Sequence, residues 1–263
     1  MTRCGRVTLV ALTVAATIGV AVPSGATAVS PGRPSYECLL GPSTAPPFGT
    51  GECLGVRPGA MISTDEGTCT LNFVFRDPRG RSYVGTAGHC TLSADGHARW
   101  KWGAGPSVTG PSDEPIGRFV FATVDDEYDF GLIRLYDGID PDPEMCVFGG
   151  PTGIESGERA EPFVVQYYGN GTVMGNAQVV NVPTLPARSA LAPEMRNRGE
   201  VTATGAAIFG DSGAGVIAED TGRAVGVLVG FRPGESIVIK RIGPAIAVAE
   251  KTLRTDLELV LAR

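Results

Sequence analysis

From Met61 onward, apolar residues come in short runs, each cut by a turn signal before it can become a long helix. Thr70 to Phe75 ends at Asp77-Pro78-Arg79-Gly80; Ser82 to Gly85, Ile116 to Thr123 and Asp129 to Leu135 follow. Later runs are Glu161 to Tyr168, Thr172 to Val182 around the turn Gly169-Asn170-Gly171, then Val216 to Ala218, Ala224 to Val229 and Ser236 to Lys240. Repeated short runs bounded by Gly, Pro, Asn and Asp specify antiparallel strands closed into barrels or a sandwich. Glycine, at 37 of 263 residues, suits tight turns between such strands. Only the C-terminal end breaks the pattern: beyond Pro244, a residue favoured at helix starts, Ile246, Ala249, Leu253, Leu257 and Val260 recur at steps of three and four.

Residues 1–28 carry Arg3 and Arg6, the apolar run Val7 to Val22, and Ala26-Thr27-Ala28 after Pro23, the layout of a cleavable secretory signal. Thr13, Thr17 and Gly19 interrupt the run, which argues against a membrane anchor, and no later stretch has the length and apolarity to span a bilayer. The expected location is therefore extracellular. Residues 29–60, rich in Pro, Gly and Ser, read as a propeptide, a linker or an arm strapped to the body. The remainder divides into 61–145 and 146–243 as two lobes, with 244–263 as the terminal helix. The acidic, proline-bearing stretch Asp137 to Glu144 marks the crossover. Net charge is −6 and becomes more negative once Arg3 and Arg6 are removed, which disfavours nucleic acid and anionic lipid as partners. Export permits disulfides, yet Cys38, Cys53, Cys69, Cys90 and Cys146 are an odd number, and sequence spacing alone cannot pair them. No Cys-x-x-Cys or His-x-x-x-His spacing suggests a metal site, and Asp125 to Glu127 and Asp137 to Glu144 read as solvated loops rather than calcium ligands. No cofactor is expected. Trp100 and Trp102, alternating across Lys101, read as one aromatic face of a strand, packed into the core.

One interruption differs from the others. Phe209-Gly210-Asp211-Ser212-Gly213-Ala214-Gly215 places a serine between glycines where strand-like sequence pauses. A serine hydroxyl is a weak nucleophile unless a base takes its proton, and the chain has two histidines. His97 lies in the polar run Ser93-Ala94-Asp95-Gly96-His97. His89 lies in Gly85-Thr86-Ala87-Gly88-His89-Cys90, where small neighbours let an imidazole project into a cleft. A base needs a carboxylate to fix its tautomer; Asp129, opening an apolar strand, is better placed for this than Asp125 or Asp126 in their acidic loop.

Thr86-Ala87-Gly88-His89-Cys90, Asp129-Phe130-Gly131-Leu132 and Gly210-Asp211-Ser212-Gly213 resemble, in order and spacing, the motifs of the chymotrypsin-like (trypsin-like) serine proteases, especially the secreted bacterial branch. The resemblance runs from about residue 58 to 262. It implies an all-β fold of two antiparallel six-stranded β-barrels with a C-terminal α-helix, and His89, Asp129 and Ser212 as a triad in the cleft between the barrels. It further implies an oxyanion hole from the Gly210 and Ser212 amides, a buried ion pair for Asp211 and a Cys69–Cys90 disulfide. Cys38 with Cys53 is the remaining pairing, leaving Cys146 free. An Ile-Val-Gly-Gly-like activating N-terminus is missing, so the cation facing Asp211 would be an arginine, with Arg188, Arg196 and Arg198 as candidates. The specificity pocket maps onto Ala206, Ala207 and Val229. No acid waits there for Lys or Arg, so neutral residues are expected before the cut. Val229-Gly230-Phe231 stands where the family has Ser-Trp-Gly, which removes a serine hydroxyl expected to reach the triad aspartate. The expected protein is a monomeric, secreted endopeptidase acting on polypeptides. A catalytically weak binding relative and a secreted esterase are the competing functions; the serine elbow of common esterases, with serine before histidine, is not seen.

Overall fold

A computed structural model describes residues 55–110, 113–170, 187–193, 195, 199–232 and 236–262. The expected signal segment, most of the 29–60 stretch, Cys38, Cys53 and the second arm of the hairpin after Asn170 lie outside the described residues. No helix among the described residues is long and apolar enough to cross a membrane.

Two antiparallel sheets carry the fold. The first contains β1 (Met61–Thr64), β2 (Gly67–Thr70), β3 (Val74–Arg76), β4 (Ser82–Thr86), β5 (Gly96–Arg99), β6 (Ser107–Thr109), β7 (Pro115–Val124) and β8 (Asp129–Leu135). Its order is β3-β4-β8-β7-β6-β1-β2, with β5 also on β7. β2 and β3 are the two halves of one bent run: β2 pairs with β1, and β3 pairs with β4. At the bend, Leu71 N donates to Ala60 O and Asn72 N to Gly85 O, so the sheet closes on itself. Closure removes exposed strand edges. Its interior is aromatic, with Phe130 set edge-on to Phe75 and tilted against Phe121.

The second sheet runs β10-β9-β12-β13-β14-β11, built from β9 (Phe163–Tyr168), β10 (Ala187–Ala192), β11 (Glu200–Ala203), β12 (Gly215–Ala218), β13 (Ala224–Arg232) and β14 (Ser236–Arg241). A bridge between Leu191 and Thr204 joins its two ends. Val165, Tyr167, Val216, Leu228, Ile237 and Ile239 fill this smaller core. Two antiparallel barrels and one helix are the expected architecture. The first sheet is larger than six strands because β5 pairs alongside β7 and the bent run divides into β2 and β3.

Helix α1 (Ile242–Leu253) starts two residues before Pro244, which sits in the first turn where its missing N–H costs nothing. Ile242, Ala245, Ile246 and Ala249 are its buried face. It ends ten residues short of the chain terminus because Arg254 adopts a left-handed conformation (φ 55°). Leu257 and Val260 are therefore not on the helix. The chain instead returns as β15 (Glu258–Leu259), which pairs with β3 and covers that edge. Helical spacing persisted in the sequence after the helix had stopped.

Candidate active site

Antiparallel pairing sets the site. Thr86 at the end of β4 pairs with Gly131 near the start of β8, so the turn after β4 lies beside Asp129. That turn, Gly88–Cys90, is a single turn of 3₁₀ helix carrying His89. The Asp129 carboxylate makes two bonds to one residue: Oδ2 lies 2.7 Å from His89 Nδ1, and Oδ1 accepts from the His89 backbone N–H at 3.0 Å. Asp129 is nearly buried, whereas about a third of the His89 side chain is exposed. The acid thus holds both the ring and its backbone, leaving Nε2 toward the open side. The disulfide Cys69–Cys90 ties the same turn to β2, with Cα atoms 6.3 Å apart. Sulfurs and imidazole of Cys69, Cys90 and His89 lie within 4.8 Å of one another. Joined as a disulfide, the cysteines have no thiolate with which to ligate a metal.

The serine loop comes from the second barrel. β13 runs past the start of β12, with Val227 opposite Gly215, so Leu228 lies alongside the loop. Gly213 N donates to Leu228 O, and Leu228 N donates to Ala214 O. The Asp211 N–H bonds Ile208 O, and Asp211 O accepts from Ala214 N. Asp211 is fully buried, its Oδ2 accepting from Ile208 N at 2.9 Å. Gly169 packs against that carboxylate so closely that a Cβ there would lie 2.2 Å from Oδ1. The three arginines considered as partners of Asp211 have side chains outside the described residues.

Thr70 at the end of β2 reaches across the seam. Its backbone N–H donates to Ser212 O at 2.8 Å. Its hydroxyl donates to Gly210 O at 2.8 Å and accepts from Asn170 N at 3.0 Å. The Asn170 side-chain amide also donates to Gly59 O. Asn170 is therefore a buried strut between barrels rather than the exposed tip of a hairpin turn. Gly210 and Gly213 both have positive φ, 98° and 93°, a region glycine enters without steric cost. At Gly213 a side chain would also strike Thr86 Oγ1 and Thr70 O.

Every peptide plane following Gly210 in the loop is thereby fixed through a carbonyl or an N–H. Between Gly210 and Ala214, the amide hydrogens of Gly210 and Ser212 are the two with no carbonyl partner among the described residues. Ser212 is half-buried. Its carbonyl lies 4.0 Å from Cys90 Sγ, which places it beside the histidine turn. The Ser212 hydroxyl has no hydrogen bond to His89 within 3.5 Å; such contacts commonly tighten only when substrate is bound.

The pocket residues are distributed around this loop. Ala206 is exposed and its carbonyl accepts from the Tyr167 hydroxyl, Ala207 is buried, and Val229 is half-buried on β13. Phe209, at 69% the most exposed large apolar side chain among the described residues, packs edge-on against Phe231 with ring centres 5.4 Å apart. This aromatic pair beside the serine was not anticipated, although Phe209 and Phe231 stand in the two segments singled out from sequence.

Three expectations need correction. His97 lies on β5, not in a loop, and bonds Thr123 Oγ1 at 2.6 Å through Nδ1. Trp100 and Trp102 follow the end of β5; Trp102 is 42% exposed and is not a core residue. Cys146 is disulfide-bonded rather than free. Because Cys69 and Cys90 pair with each other, its partner lies outside the described residues.

No protein-family model and no curated protein sequence matches the chain. Solved structures do. A glutamic-acid-specific serine protease is 16% identical, covering 78% of this chain and 100% of its own, with a TM-score of 0.54. Cellulomonas bogoriensis chymotrypsin is 16% identical over 79% of this chain and 99% of its own, at 0.50. An alpha-lytic protease homolog, N4, is 18% identical over 74% and 97%, also at 0.50. Two closed antiparallel barrels, a C-terminal helix and these likenesses together give the chain the chymotrypsin-like fold of the bacterial serine proteases.

Proposed function

We propose that the protein is a secreted serine endopeptidase that cleaves polypeptides through an acyl-enzyme on Ser212. The carrying observation is the two-point grip of Asp129 on His89 at the mouth of the seam where the Ser212 loop is clamped. In this reading the Ser212 hydroxyl meets His89 Nε2 when substrate is bound. The imidazole takes the hydroxyl proton as Oγ attacks the scissile carbonyl carbon, and Asp129 stabilises the resulting imidazolium. The negative oxygen is received by the Gly210 and Ser212 N–H groups, the two donors between Gly210 and Ala214 not committed to carbonyls. The imidazolium then protonates the leaving amine. Water, deprotonated by the same imidazole, releases the acid and restores Ser212.

Neutral residues are proposed before the cut, because Ala206, Ala207 and Val229 offer no charge. The glutamic-acid-specific neighbour is described as using a histidine triad to bind substrate. This chain has two histidines in all, one of them held by Asp129, so that device is not open to it. A binding protein on the same scaffold remains the second reading, favoured by the aromatic pair Phe209–Phe231 over the serine's flank.

Labelling the purified protein with a fluorophosphonate, with Ser212→Ala as control, tests the reading. Stoichiometric labelling that disappears in the variant supports the enzyme; a protein that binds peptides but never labels supports the second reading. Peptide-library cleavage then reports side-chain preference, and a strong requirement for Lys, Arg or Glu would overturn the neutral pocket.

A further inference from the structure

A second cleft, of about 480 Å³, opens on the first barrel away from the serine loop. Arg134 lines it from β8, five residues and therefore roughly 17 Å of extended strand from Asp129, and an odd spacing puts the two on opposite faces of the sheet. Around it stand Arg99, Lys101, Trp100, Trp102 and Tyr83, with Leu253 from the end of α1. Both tryptophans of the chain are here.

The charge is unusual for this molecule. Against a net −6 overall, four cations, including Arg81, converge on one cleft. Arg81 is committed to the buried Asp77. Arg99 and Lys101 are exposed and have no carboxylate within ion-pair distance among the described residues. Arg134 lies with its guanidinium carbon 3.9 Å from the Trp102 ring centre, its Nε buried without a hydrogen-bond partner. Its one carboxylate contact, Asp137 at 3.8 Å, is almost wholly solvated. Guanidinium forks suit oxyanions, and indole surfaces suit the C–H face of a ring. The cleft floor is made by β4, β7 and β8, each hydrogen-bonded on both sides. The floor therefore offers no free strand edge for an extended peptide, and the one lining strand with a single partner, β5 at the rim, is only four residues long.

We propose that this cleft binds an anionic saccharide, a sugar ring bearing a carboxylate or sulfate, with Arg99, Lys101 and Arg134 receiving the charge and the tryptophans receiving the ring. The site is independent of the reading of Ser212. Because both tryptophans of the chain line it, their intrinsic fluorescence reports its occupancy directly.

The test titrates the full protein with a uronic-acid disaccharide, a sulfated disaccharide, their neutral parent, sodium sulfate and a tetraglutamate peptide, with Arg99→Ala/Lys101→Ala as the variant. The expected result is a saturable fluorescence shift with one or both anionic disaccharides. The double variant should weaken that binding about tenfold or more with an unchanged unfolding midpoint, since both residues are exposed. Added salt should weaken it further. The charged sugar that saturates identifies the anion. Equal binding of the neutral parent, of sulfate alone or of tetraglutamate overturns the proposal, as does a variant that binds like the wild type or a protein that responds to neither charged sugar.

Discussion

Replacing Thr70 by valine removes a single oxygen while keeping the β-branched shape at a fully buried position. That oxygen serves two partners, the Gly210 carbonyl and the Asn170 N–H. Orphaning a buried polar group costs about 1–3 kcal/mol, so the two together should lower stability by about 2–6 kcal/mol. Catalysis suffers separately, because the Gly210 carbonyl is what fixes the segment carrying the proposed oxyanion donors. Loss of one such donor costs about 2.7–4 kcal/mol, or about 10²–10³ in kcat. A loosened rather than deleted donor should cost a fraction of that, about tenfold. Thr70→Ser keeps the hydroxyl and should retain most of both properties. The assay pairs denaturant unfolding with kcat and KM on a neutral peptide amide. The expected signature is a fall in kcat with KM nearly constant in Thr70→Val, with rescue in Thr70→Ser. Wild-type kcat in Thr70→Val, or equal damage in Thr70→Ser, would show that the hydroxyl does not orient the loop.

Gly169→Ala should abolish fluorophosphonate labelling or prevent folding, because its Cβ would meet Asp211 Oδ1 at 2.2 Å; circular dichroism separates the two routes, and normal labelling would refute the packing. Replacing Cys69 and Cys90 together by alanine, across a separation of 21 residues, should cost about 3 kcal/mol in denaturant unfolding, and an unchanged midpoint would count against the bridge. Burial, the largest influence on the Asp77 carboxyl, pushes its pKa up, but hydrogen bonds from the Arg81 side chain and backbone and from Tyr83 outweigh it and leave the pKa lowered. Its stabilisation is therefore present above the unfolded carboxyl pKa of about 3.9 and is lost as pH falls through the lower folded value. Asp77→Asn should be less stable at neutral pH and flatten that acid limb; parallel acid curves would contradict it. Burial and the negative charge of Asp77 push the Tyr83 hydroxyl up to about 12, so ultraviolet titration of Tyr83→Phe should lose one tyrosine ionising near that pH.

Strand content and the pairing of Asp129 with His89 were legible because both follow from local signals. Turn residues cut the apolar runs, and only one of two histidines sat in a sequence able to line a cleft. Thr70 and Asn170 were not legible, since their partners lie 140 and 111 residues away and nothing in either local sequence announces a contact across the seam. Trp102 illustrates the opposite failure: alternation with Trp100 suggested a buried face, but β5 ends at Arg99, and the ring is covered by Arg134 rather than by core. Leu257 and Val260 kept helical spacing past the point where Arg254 turns the backbone. Short-range periodicity sees neither a left-handed residue nor the strand partner that captures the tail.

Part of the clamp on the serine loop is borrowed: the Thr70 hydroxyl and amide, which hold the Gly210 and Ser212 carbonyls, belong to the other half of the molecule. The second half by itself leaves the Gly210 and Ser212 carbonyls without the partner they have in the whole molecule. If the proposed function holds, hydrolytic competence would be completed only when the halves dock, and a partly folded chain would be protected from its own chemistry without any separate inhibitor.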